Sequence, residues 1–245
     1  MNDQPEVDRP IMAEIAGGRA KMYDMFVGIY GHLPDQLLLS MIKGDDLQNI
    51  LDDLCHLKNP KYQTGVDYIK SYRSLMQSKS KDEILTELSV DRTRMLRGTG
   101  PKNLKPPYEG LYKNDSEIGE SALKVKSFYR KVGLLPAETV HESPDYLCIE
   151  LDFMKNLCLR EQDLWLSRDD AIGTVKIEED FLKEHLGSWV GEFCFLAERY
   201  ALTDFFRGLI TILHAFVMTD MEYLQNFQSK HKILRNFDSD APGQR

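Results

Sequence analysis

Residues 142–161 read ESPDYLCIELDFMKNLCLRE, and their apolar positions recur at helical spacing. At about 100° per residue, Leu147, Leu151, Met154, Cys158 and Trp165 fall on one line, with Phe153, Leu157 and Leu164 beside it. Asp152, Asn156 and Asp163 lie opposite. Glu150 and Glu161 break the pattern, because both project into the middle of the apolar arc. A carboxylate there must be paired, hydrogen-bonded or open to a wet groove, since burying it alone costs several kcal/mol. Two readings follow. Each glutamate meets a cation or a helix N-terminus from a neighbouring helix, with Arg207 and His214 on the apolar last helix as candidate partners. Alternatively, the two line a groove that receives a cationic peptide.

The same periodicity governs the rest of the chain. Helices are expected at about 10–31, 34–42, 45–55, 61–77, 80–98, 116–131, 144–166, 172–186, 188–200 and 203–227. Ser80 with Glu83 three residues on has the form of a capping box, and Gly133 is placed as a C-terminal stop. No segment alternates β-branched residues over a strand length, so no sheet is expected. The fold class is therefore all-α, a bundle of about ten helices. Prolines 136 and 144 mark a hinge at 133–144, dividing an N-terminal helical subdomain (10–132) from a C-terminal one (145–228), with a loose tail at 238–245.

Composition narrows the function. The 245 residues are 42% hydrophobic and 29% charged, enough to bury a core. A formal charge of −8 disfavours a nucleic-acid partner and suits a cationic one. Cys55, Cys148, Cys158 and Cys194 stand far apart without a CxxC pair, as in a reducing compartment. The opening MNDQPEVDRP shows no secretory signal, and the most apolar run, 208–218, is about half a membrane span. A cytoplasmic protein without membrane insertion is expected.

Between the fifth and sixth helices lies a long irregular stretch, 98–115, containing PPYEGLY at 106–112. Its prolines favour extended backbone and Gly110 permits a sharp turn. Tyr108 and Tyr112 offer apolar rings with polar tips, and Glu109 adds a charge between them. The loop either meets a peptide of mixed apolar and arginine character or packs its tyrosines beneath the hinge. Asp145, just after Pro144, suits the positive end of a helix dipole and equally a bidentate arginine. His185 stands one turn before Trp189 on an apolar stripe, as a core histidine or a ligand. Arg92, Arg94 and Arg97 suit either a solvated helix end or an anionic group. The sequence contains no HExxH, no Cys/His cluster and no GxxxxGK[ST], and neither Glu150 nor Glu161 begins the Glu-x-x-His pair that helical di-metal sites use.

Three of these segments together resemble the TorD/DmsD-like family of redox-enzyme maturation chaperones. The segment 142–161 is similar to a family signature close to E-P-x-D-H-x-x-x-E-L-x-F-M-x-x-L, matched here by Pro144, Asp145, Glu150, Leu151, Phe153, Met154 and Leu157. PPYEGLY resembles the family's proline-aromatic loop. FLKEHLGSWVGEF at 181–193 resembles a third motif through His185, Leu186, Trp189 and Phe193. Tyr146 stands where the family usually has histidine. The resemblance implies an all-α cytoplasmic chaperone, with no catalytic activity, metal or cofactor of its own. It would bind the precursor of a molybdenum oxidoreductase, by its twin-arginine signal peptide or in its apo form, until the cofactor is inserted. Some members bind guanine nucleotide weakly or form homodimers by domain swapping. The partner-binding residues it suggests are Tyr108, Glu109, Gly110, Tyr112, Asp145, Tyr146 and Glu150. A helical enzyme with a carboxylate/His site, or a non-catalytic assembly subunit of a redox complex, is the alternative.

Overall fold

The computed structural model describes residues 8–137 and 141–239, with the backbone alone at Asp46 and 231–239. Eleven α-helices occur among the described residues: α1 (Arg9–Gly31), α2 (Gln36–Lys43), α3 (Asp45–Cys55), α4 (Pro60–Leu75), α5 (Lys81–Leu96), α6 (Glu109–Tyr112), α7 (Glu120–Val132), α8 (Leu147–Ser167), α9 (Ile172–Glu184), α10 (Leu186–Tyr200) and α11 (Asp204–Ser239). A 3-10 turn, Met76–Ser78, follows α4. The all-α expectation holds, and no described helix is long and apolar enough to cross a membrane.

Local signals set most boundaries. Asp8 caps α1 by accepting from Ile11 N (3.3 Å), and Ser80 and Glu83 complete their reciprocal box at the start of α5. Gly133 ends α7 at φ 76°, a left-handed conformation that glycine adopts without strain. Helix α8 starts three residues later than Pro144, because the backbone of 145–147 is already paired with the 106–112 loop. The last helix runs on past Phe227 to Ser239. Of the expected tail, residues 240–245 fall outside the described residues, as do 138–140 of the expected hinge.

Two antiparallel helix pairs organise the packing. Along α8 lies α1, with Arg9 donating to Asp169 O (3.2 Å) at one end and Lys155 3.5 Å from Asp24 at the other. Along α11 lies α4, where Lys61 meets His214 (3.1 Å) and Ser71 meets Asp204 (3.1 Å). Midway along the second pair the backbones nearly touch: a Cβ on Gly208 would lie 2.5 Å from Gly65 O. One apolar core runs from Ala13 in α1 to Leu224 in α11.

Glu161 is held by a residue the periodicity did not suggest. Arg19, on the buried face of α1, reaches Glu161 of α8 (2.6 Å), Glu178 of α9 (2.5 Å) and Asp220 of α11 (2.5 Å). Tyr23 donates to Asp220 (2.7 Å) and Trp165 to Glu161 (2.8 Å). One guanidinium thus ties four helices together. Its fork of donors makes this possible, where a lysine would supply only a point charge. The two cations expected as partners are engaged elsewhere: Arg207 with Asp204 and Ala201 O, and His214 with Lys61. Burial pushes the Glu178 carboxyl up to about 8; Arg19 opposes the rise and Glu161 adds to it.

Candidate functional site

The three motif segments, far apart in sequence, meet at one junction. Pro106 and Pro107 keep the loop extended into Tyr108, which pairs with Tyr146 as an isolated antiparallel bridge. Glu109 N donates to Asp145 O (2.9 Å) and Leu147 N to Pro107 O (2.9 Å). This pairing holds Tyr146 in an extended conformation and makes it the N-terminal flank of α8. Asp145 is buried and accepts from Gly110 N (3.2 Å) and Ser143 Oγ (2.5 Å). At Gly110 a Cβ would lie 2.6 Å from Asp115 Oδ2, so the turn into α6 leaves no room for a side chain. Asp115 is fixed in turn by the backbone and hydroxyl of Ser121, both at 2.7 Å.

The third motif closes the junction from α9 and α10. His185 lies at their joint with a non-helical backbone (φ −123°, ψ −107°), and the break turns its ring onto Glu109. Glu109 is fully buried; it accepts from Lys113 Nζ (2.8 Å) and lies 3.1 Å from His185 Nδ1. Lys113 also donates to Glu184 O (2.6 Å), one of the last carbonyls of α9. Glu150, fully buried as well, accepts from Trp189 Nε1 at Oε2 (3.1 Å), while its Oε1 receives no hydrogen bond. Burial first, and then the neighbouring Glu109 charge, push Glu150 well above the usual carboxylate range.

Aromatic rings pack around this pair. Tyr112 stacks on Trp189 (5.6 Å) and meets Phe193 edge-on (5.9 Å), with its hydroxyl on Lys105 O (2.6 Å). His185 lies between Phe128 and Phe181. On the outer side, Tyr108 donates to Glu142 (2.6 Å), Glu142 pairs with Arg97 (2.8 Å), and Arg97 lies over the Tyr146 ring (5.7 Å). A histidine's charge is thus absent from this position, and a tyrosine ring takes the cation instead.

The seven residues singled out in the sequence are all brought together here. Glu109, Tyr112, Asp145, Tyr146 and Glu150 are buried; Tyr108 and Gly110 are half-buried. His185 is in place as a core histidine with a carboxylate partner. Sequence reading missed Lys113, although its position four residues after Glu109 is ordinary ion-pair spacing on a helix. Trp189 was read only as a motif match and Glu142 only as the start of its segment, because the tertiary fold alone brings their polar atoms to the site. Arg92 is not on a solvated helix end: it is buried and donates to Tyr30 O, near the C-terminus of α1.

A sequence model of the family described as nitrate reductase delta subunit matches residues 59–195, from α4 into α10, and so includes all three motif segments. The chain belongs to this family. Among curated proteins, this delta-subunit-family chain is 33% identical over 121 residues to the chaperone protein TorD of Vibrio vulnificus strain YJ016, covering 48% of the chain and 55% of that protein. It thus spans about half the length of that relative. The chaperone protein TorD of Vibrio parahaemolyticus is 24% identical over 213 residues, covering 84% of the chain and 94% of that protein. A perchlorate reductase assembly chaperone protein of Dechloromonas aromatica is 29% identical over 115 residues, covering 47% and 51% respectively.

Proposed function

We propose that this protein is a cytoplasmic, non-catalytic chaperone. It binds the precursor of a molybdenum-containing oxidoreductase, through its twin-arginine signal peptide or its apo form, while the cofactor is inserted. The observation that carries this reading is the junction itself. Three motifs of a chain whose relatives are named chaperones and assembly proteins converge on one cluster of buried carboxyl groups, which Lys113 reaches from the surface. In this reading Tyr108 and Gly110 meet the partner, and Glu109, Tyr112, Asp145, Tyr146 and Glu150 stand behind them and set their charge and shape. Carboxylates held in fixed positions favour a planar guanidinium, which makes two parallel hydrogen bonds where an ammonium makes one.

The same reading includes a hinge at 133–144. Exchange of residues 145–228 between two copies would re-form the α1–α8 and α4–α11 pairs across a domain-swapped homodimer. The measurement that tests the function is calorimetric titration with a synthetic twin-arginine leader and its twin-lysine counterpart. Micromolar-range binding of the first, weakened about tenfold or more in the second, is expected. Equal affinity for the two, or no binding of either together with no precursor recovered from cells by the tagged chain, would remove the reading.

A further inference from the structure

We propose that Lys113 is an exchangeable cation, holding in the free protein the place that a partner's arginine takes beside Glu109 and Glu150. This rests on the chaperone reading above and specifies how its carboxyl cluster is occupied. Three observations support it. First, the carboxylate of Glu109 is buried, yet the lysine that pairs with it keeps a third of its side chain exposed, so this ammonium reaches in from the surface. Second, the cluster offers more acceptors than one ammonium uses. Besides Glu109 Oε1 and Glu184 O, which Lys113 already engages, the buried Glu150 Oε1 receives no hydrogen bond. Third, Leu111, Ile118 and Leu123 are exposed along the same stretch of chain, from α6 to α7, which pack together. Asp115, Glu117 and Glu120 alternate with them. An extended cationic segment with apolar residues beside its arginine fits that surface.

Exchange is feasible because it conserves charge. One monocation leaves the buried carboxyl cluster and one enters, so the cluster is never left with an uncompensated anion in its end states. The entering guanidinium carries five donors in a plane, against three on the ammonium, and meets both Glu109 oxygens while leaving donors for Glu184 O. Lys113 therefore acts as a tethered competitor, and the apparent affinity for the partner is the intrinsic affinity multiplied by the fraction of molecules in which the lysine has left.

The test compares the twin-arginine leader on the full chain and on two variants. Lys113→Met removes the competitor and is expected to bind about tenfold tighter, while Lys113→Arg strengthens it and is expected to bind more weakly. A lysine with a purely structural role would not move the two in opposite directions. Unchanged or weaker binding by Lys113→Met would overturn the exchange and leave the chaperone reading standing; if that variant does not fold, Lys113→Arg decides alone, and undiminished binding overturns it. If no form binds the leader, the peptide reading fails, and the cluster is judged by N-acetylarginine amide. A rise in the melting temperature of Lys113→Met, absent once Glu109→Gln is added, would still support guanidinium entry. No rise would end the proposal.

Discussion

Glu150 is a charged residue type in a position where charge is not tolerated. Its carboxyl is fully buried, is bonded to Trp189, and has an anionic neighbour in Glu109. Burial and the Glu109 charge both favour its protonated form, and this separates two substitutions that sequence reasoning would treat alike. Glu150→Gln is neutral, nearly isosteric, and still accepts from Trp189; it is expected to unfold within about 1 kcal/mol of the parent at neutral pH. Glu150→Ala loses that hydrogen bond and leaves a cavity, at about 2–4 kcal/mol. Urea denaturation of both variants checks this. A cost for Gln equal to that for Ala would show that the carboxyl is ionised and essential as an anion.

Among the elements, α11 shows most directly how backbone contact constrains composition. It lies against α4 so closely that the nearest atoms a Gly208 Cβ would meet include Gly65 O (2.5 Å) and Ile69 Cγ1 (2.6 Å). The first is backbone and cannot turn aside. Gly208→Ala is therefore expected to destabilise the protein by about 1–3 kcal/mol through forced separation of the two helices, although alanine is the better helix former. Gly18→Ala, on α1 where a Cβ meets no atom within 4 Å, is expected to stabilise by a few tenths to about 1 kcal/mol. Thermal unfolding of the pair checks the opposite signs.

Across the whole molecule, the Arg19 cluster couples four helices to pH. Glu178 has its carboxyl pushed from 4.5 up to about 8, chiefly by burial. A carboxyl that holds its proton more tightly when folded gives stability that is fully present below about pH 4.5 and lost as pH rises through about 8. Stability is thus expected to decline over that window. Glu178→Gln, which keeps an acceptor for Arg19, should flatten the decline and gain most at the alkaline end. Denaturation midpoints at about pH 6 and about pH 9 measure it. A parallel decline in the variant would assign the effect to other groups.

The sequence determined the helices, except the four-residue α6 inside the stretch read as irregular, because their signals are local. Apolar spacing, the Ser80 box, the stop at Gly133 and the absence of strand alternation each act within a few residues. It also marked every segment of the junction, since the proline loop, Asp145, Glu150 and His185 are unusual where they stand. Only the tertiary structure decided which side chains answer one another. Glu161 meets Arg19 from 142 residues away and Glu109 meets His185 from 76 residues away. Arg207 and His214, equally plausible by spacing, turn to Asp204 and Lys61. Pairing of buried charges depends on the rotation and crossing of packed helices, which local periodicity does not encode. The segment 142–161 therefore announced two misplaced glutamates, and the fold gave them opposite resolutions: a guanidinium for Glu161 and surroundings that favour the neutral acid for Glu150.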